Sequence, residues 1–138
     1  MSKKALIIDD DEMTIMSLKN LLKQGGYEFE IAENGNDGVE KVKASSFDLV
    51  FIDFNLPDMG GDAVLSKIKE SGSNYGKSVL MSGDENLNAE FENKGFNYFL
   101  HKPIKKSHKI SQIGARSNWQ EFEGRKAQYK RILTKQAS

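Results

Sequence analysis

Short apolar runs alternate with segments of helical periodicity along the whole first three quarters of the chain. Ala5-Leu6-Ile7-Ile8 stops abruptly at Asp9-Asp10-Asp11-Glu12. A run this short and apolar on both faces predicts a strand buried inside a parallel sheet. Met13, Met16, Leu18, Leu21 and Leu22 then recur at helical spacing, and Gly25-Gly26 ends the segment as a C-cap would. Tyr27 to Ala32 alternates apolar and polar, which predicts a strand nearer the sheet edge. Asn34-Gly35 reads as a loop, with Val39, Val42 and Ala44 marking a short second helix.

The stretch from Phe47 to Ile52 is the most strand-like and ends at Asp53. A loop with Pro57 and Gly60-Gly61 follows, then a helix turning Val64, Leu65 and Ile68 inward. Ser78-Val79-Leu80-Met81 predicts a fourth strand ending at Ser82-Gly83, and Leu87 and Phe91 sit on a short helix stopped by Gly95. Phe96 to Leu100 predicts a fifth strand ending at Lys102-Pro103. Five strand–helix alternations are the signature of βαβ units on a parallel sheet, an α/β, doubly wound, five-stranded fold.

Composition narrows the picture. The 138 residues are 38% hydrophobic and 29% charged, which suits one soluble domain. No apolar run approaches the roughly 20 residues that cross a bilayer. Met1-Ser2-Lys3-Lys4 leads directly into the first strand with no cleavage-site pattern, so the expected address is cytoplasmic. The absence of cysteine excludes disulfides, thiolate metal sites and cysteine nucleophiles. The net charge of zero conceals an asymmetry: residues 1–104 carry 11 Lys/Arg against 18 Asp/Glu, and residues 105–138 carry 9 against 2. An acidic body of charge −7 is thus followed by a basic tail of charge +7.

Ligands of open α/β sheets bind outside the carboxyl ends of the strands. Four of the five strands deliver polar groups there: Asp9-Asp10, Asp53, Ser82-Gly83 and Lys102. A lone strand-end aspartate is most often a turn residue or cap. Independent turn residues, however, have no reason to converge on one edge. Three carboxylates together repel one another unless a hard cation lies between them. Oxygen-only ligands point to Mg²⁺, with Mn²⁺ as a substitute. A lysine and a hydroxyl beside that ion suit a phosphoryl group.

Over about residues 3–104 these motifs resemble the receiver domains of two-component response regulators. The resemblance rests on Ile-Ile-Asp9-Asp10, on Phe-Asp-Leu-Val-Phe-Ile-Asp53 with Pro57 and Gly60-Gly61 behind it, on Met-Ser82-Gly83, and on Lys102-Pro103. It extends to the separations: 43 from Asp10 to Asp53, 29 to Ser82 and 20 to Lys102. It implies a flavodoxin-like receiver fold in which Asp53 is the phosphoacceptor, forming an acyl phosphate. It further implies that Asp10, Asp53 and the backbone carbonyl of Asn55 hold Mg²⁺, with Asp9 acting largely through water. Ser82 and Lys102 would grip the phosphoryl oxygens, helped by backbone N–H groups near Asn55 and Gly83. A cis bond before Pro103 would aim the lysine, and Phe99 matches the switch aromatic. Asp84 matches a position tuning acyl-phosphate lifetime. Partners implied are a sensor histidine kinase or phosphotransfer protein and a downstream protein target, as in chemotaxis-type regulators.

Some positions depart from the commonest pattern. The hydroxyl is serine rather than threonine, and glycine replaces alanine after it. His101 is unusual beside the lysine and reads as a partly exposed surface histidine. Two other functions are weaker. A Mg²⁺-dependent phosphohydrolase of the haloacid-dehalogenase type needs a second aspartate where Asn55 stands, so a turnover enzyme is not expected. A phosphorylation-independent adaptor would have no use for closely placed like charges. Neither G-x-G-x-x-G nor a P-loop follows any strand, which disfavours nucleotide binding.

Residues 105–138 are read as the last receiver helix plus a basic helical extension, with no separate output domain. Ile110 and Ile113 suit a short fifth helix. Trp119, Phe122, Tyr129 and Leu133, with Lys126 interposed, form a narrow apolar seam at spacings of 3 and 4. That seam suits either a brace against the acidic body or pairing with a partner helix or second subunit, a homodimer included. No helix-turn-helix pattern supports nucleic-acid binding.

Overall fold

The computed structural model describes residues 3–105 together with His108 and Ile110. Strands β1 (Lys3–Ile8), β2 (Tyr27–Ala32), β3 (Leu49–Asp53), β4 (Lys77–Ser82) and β5 (Tyr98–His101) form one sheet. Its order is β2-β1-β3-β4-β5, with all neighbours parallel. The doubly wound reading holds, and β2 is an edge strand as its alternation predicts. Helices α1 (Glu12–Gln24), α2 (Gly35–Ala44) and α3 (Gly61–Ser71) complete the layers.

Side chains of each central strand point alternately to two cores. Ala5, Ile7, Leu49, Phe51, Val79, Met81 and Leu100 pack with α1 residues Ile15, Leu18, Leu21 and Leu22. Leu6, Ile8, Val50, Ile52, Leu80 and Phe99 pack with Val39 and Val42 of α2 and Val64, Leu65 and Ile68 of α3. Ile110, from the expected fifth helix, is buried in the first of these cores. Ile113 and the apolar seam lie outside the described residues.

Three local expectations need correction. Met13 and Met16 do not face the core. They are 71% and 60% exposed, and Thr14 and Ile15 are buried instead. Asp11 rotates the helix this way, because it is the N-cap and accepts from Thr14 N–H at 3.1 Å and Thr14 Oγ1 at 2.6 Å. Asn34-Gly35 is not a loop but the start of α2: Asn34 caps it by accepting from Asp37 N–H at 2.8 Å. Lastly, Leu87 and Phe91 do not ride one short α-helix. Glu85–Ala89 is a 3₁₀ segment capped by Asp84, followed by turns to Gly95. Both side chains are nevertheless buried.

Candidate functional site

Strand register assembles the site. Ile8 pairs with Ile52, so the residues after them, Asp9 and Asp53, lie side by side at the carboxyl edge. The order reverses here, since β1 leads outward to β2 and β3 sits on its other flank. On the far side, Ser82 pairs with His101, which brings Lys102 beside the end of β4. Lys102 precedes a cis bond to Pro103, as expected.

The three successive aspartates have separate jobs. Asp9 is fully buried and accepts from Asp11 N–H through Oδ1 at 2.9 Å. Asp10 is exposed, and Asp11 caps α1. Carboxylate oxygens of Asp9, Asp10 and Asp53 lie within 4.8 Å of one another. Lys102 Nζ bridges two of them, 3.1 Å from Asp9 Oδ2 and 3.2 Å from Asp53 Oδ1. Only the contact with Asp53 has hydrogen-bond geometry. Asp9 Oδ2 is therefore buried with an ion-pair partner but no aligned donor.

Protonation follows from these surroundings. Burial raises the Asp9 pKa, against the Asp11 N–H and Lys102. Asp53 is raised first by burial and then by the Asp9 charge, with Lys102 and the Asn55 N–H opposing. Burial pulls the Lys102 ammonium down, but the two carboxylates outweigh it and its pKa is raised. The acidic cluster is thus short of positive charge. An oxygen-only donor set with one unsatisfied buried oxygen fits a hard divalent cation such as Mg²⁺.

Other expected residues are placed less directly. Ser82 is 4% exposed at the end of β4, and its Oγ accepts from Asp84 N–H at 3.0 Å within its own loop. Asp84 is exposed, with its carboxylate on Asn86 N–H at 2.9 Å, so the cap holds it. Phe99 is buried, stacked on Phe91 with ring centroids 6.2 Å apart. One structural residue escaped the sequence. Asp58, in the loop after β3, accepts from Gly35 N–H at 2.7 Å and Asn36 N–H at 2.9 Å. It ties that loop to the start of α2, and these two N–H groups hold its pKa low. No local pattern links positions 22 and 23 residues apart.

Comparison with known proteins decides the family. Residues 5–113 match the response regulator receiver domain. The chain belongs to that family. It is 31% identical to the chemotaxis protein CheY of Bacillus subtilis over 121 residues, covering 86% of this chain and all of CheY. A CheY-like receiver from Methanospirillum hungatei is 30% identical with a TM-score of 0.71, over 89% of this chain and 99% of that one. TrrA of Thermotoga maritima, solved in complex with Mg²⁺-BeF, shares the fold at 22% identity and a TM-score of 0.70, over 84% and 98% of the two chains. The receiver spans only 6% of a Dictyostelium discoideum hybrid histidine kinase and about half, 49%, of the Caulobacter vibrioides regulator CtrA. Receivers of the CheY kind are two-component signalling proteins rather than turnover enzymes. No described helix is long and apolar enough to cross a membrane.

Proposed function

We propose that this receiver accepts a phosphoryl group on Asp53 from a phosphohistidine of a histidine kinase or phosphotransfer protein, and that the modification switches a partner-binding face. The observation carrying this reading is the single lysine lying 3.1 and 3.2 Å from two buried carboxylates on neighbouring strands, with a third carboxylate in reach. Support also comes from TrrA, which was solved with Mg²⁺-BeF.

In the transfer, an Asp53 carboxylate oxygen attacks phosphorus in line with the P–N bond of the donor. A P–O bond forms, the P–N bond breaks, and its electron pair returns to the imidazole, which takes a proton from solvent. Asp9, Asp10, Asp53 and the backbone carbonyl of Asn55 would hold Mg²⁺, with Mn²⁺ as a substitute. When bound, the ion neutralises charge on the carboxylates and on the transferring phosphoryl oxygens. Lys102 stays near Asp53 and meets a phosphoryl oxygen. Ser82 turns its own O–H toward another, with Gly83 N–H close by. Phe99, buried against Phe91, is the switch aromatic. Asp84 tunes the lifetime of the acyl phosphate through the 3₁₀ turn that it caps.

The donor has to reach Asp53 past the rim formed by α1 and the segment after β5. A cavity of about 300 Å³ there is lined by Asp11, Met13, Thr14, Ser17, Lys102, Pro103 and Ile104. Met13, exposed in its lining, suits an adaptable apolar contact. Residues 1–104 form the core in this reading, and 105–138 act as its last helix and a basic extension that braces, pairs or outputs.

The deciding experiment is intact mass after incubation with acetyl phosphate and Mg²⁺. Wild type should gain one phosphoryl mass and Asp53→Asn none. No gain in wild type, with Mg²⁺ binding intact, would favour a phosphorylation-independent adaptor.

A further inference from the structure

His101 lies outside the roles described so far, yet it touches both parts that a phosphorylation switch would move. It ends β5 in register with Ser82. Its Nε2 is 3.1 Å from the carbonyl oxygen of Gly83, the residue after that serine. Its ring lies 6.4 Å, centroid to centroid, from Phe99, which stacks on Phe91. A carbonyl oxygen only accepts, so Nε2 must carry the proton in this contact. The ordinary reading is a surface histidine satisfying a loop carbonyl. What separates His101 from that reading is the loop it holds.

That loop is fastened in three ways. Lys102 N–H donates to Ser82 O at 2.9 Å, continuing the sheet ladder. Ser82 Oγ accepts from Asp84 N–H at 3.0 Å, and the His101 ring holds the carbonyl between them. A shift of the Ser82 side chain toward Asp53 pulls on the bond that its Oγ accepts from Asp84 N–H, and the Gly83 carbonyl lies inside that turn. Space is available, because a Cβ on Gly83 would meet nothing within 4 Å. The side-chain bonds, not crowding at that glycine, hold the turn.

We propose that His101 is a positioning residue: its Nε2–H latches the Gly83 carbonyl and so stabilises the unphosphorylated arrangement of the Ser82 turn against the phosphorylated one. The inference rests on the phosphoacceptor reading above. A net hydrogen bond lost on switching lowers apparent affinity for a phosphoryl mimic by about 5-fold, and its removal restores that factor.

The test compares wild type with His101→Phe, which keeps a ring beside Phe99 but no donor, and His101→Gln, which keeps a donor. Beryllofluoride is titrated at saturating Mg²⁺, and Mg²⁺ alone is titrated to verify an intact acidic site. His101→Phe should bind beryllofluoride about 5-fold more tightly, His101→Gln within about two-fold of wild type, and Mg²⁺ alone equally in all three. Nitrogen-15 spectra of wild type should show the His101 proton on Nε2. Equal beryllofluoride affinity in wild type and His101→Phe, equal tightening in both variants, or a neutral ring protonated on Nδ1 would overturn the latch and leave the phosphoacceptor reading standing. Failure of wild type to bind beryllofluoride would remove both.

Discussion

Replacing Asp53 by asparagine should stabilise the metal-free protein while abolishing phosphorylation. The magnitude follows from the charges around it. At an effective dielectric of 20, the Asp53–Lys102 contact at 3.2 Å is worth about 5 kcal/mol of attraction. Repulsion from Asp9, within 4.8 Å, returns about 3.5 kcal/mol. Exposed Asp10 at the same limit adds about 1 kcal/mol in a water-like dielectric. The Coulomb terms nearly cancel, which leaves the cost of burying the carboxylate, several kcal/mol per ion, largely unopposed. The raised Asp53 pKa has the same sign. An amide of equal shape avoids most of that cost, and Lys102 keeps Asp9 as its partner at 3.1 Å. A gain of about 2 kcal/mol is expected, or about 8 °C in melting temperature. Mg²⁺ at 100 times its Kd adds about 2.7 kcal/mol to wild type and little to the variant, so the gap should close or invert. The assay is thermal melting of both proteins in chelator and in Mg²⁺. A variant that melts at or below wild type in chelator, or an equal gain from Mg²⁺ in both, would refute the electrostatic account.

Three other outcomes are expected. Gly61→Ala should cost about 1–3 kcal/mol and slow phosphorylation, because its Cβ would sit 2.6 Å from the Asp53 backbone oxygen and 3.0 Å from Phe54 Cα; denaturant unfolding and the acetyl phosphate rate test this, and a neutral variant contradicts it. Lys4 Nζ lies 2.7 Å from Glu30 Oε2 between β1 and β2, and that bond, ahead of charge, lowers the Glu30 pKa below its ordinary 4.5. A lowered carboxyl binds fewer protons folded than unfolded, so its contribution is full above 4.5 and is lost as pH falls through the lower native value. Glu30→Gln should therefore cost about 0.5 kcal/mol at pH 7 and low salt, and nothing at acid pH or in high salt; denaturation across pH that shows a constant difference contradicts it. Asp84→Ala removes the carboxylate bonded to Asn86 N–H and should change the acyl-phosphate decay rate several-fold, read by intact mass over time; an unchanged rate ends the tuning role.

What the sequence reveals depends on whether the cause is local. The strands were legible because burial on both faces demands continuous apolar runs, as in Leu6-Ile7-Ile8 and Val50-Phe51-Ile52, all fully buried. Their polar terminators were legible for the same reason, since a parallel sheet leaves one edge where Asp9, Asp53 and Lys102 can meet. Met13 and Met16 misled because apolar spacing cannot tell a core stripe from an outward one. The Asp11–Thr14 cap sets the rotation, and it leaves Met13 exposed beside the site. Asp58 and His101 were illegible in a stronger sense. Each acts on backbone groups far along the chain, Gly35 and Asn36 in one case and Gly83 in the other, and a backbone N–H or carbonyl has no signature in sequence. The two kinds of residue do different work. The legible ones supply charge, whose repulsion and burial suit the acidic cluster to a hard cation. The illegible ones fasten the loops that carry that charge, Asp58 the loop after β3 and His101 the loop after β4. Removing one of these loop fastenings should therefore change how readily the receiver switches while its five polar residues stay in place.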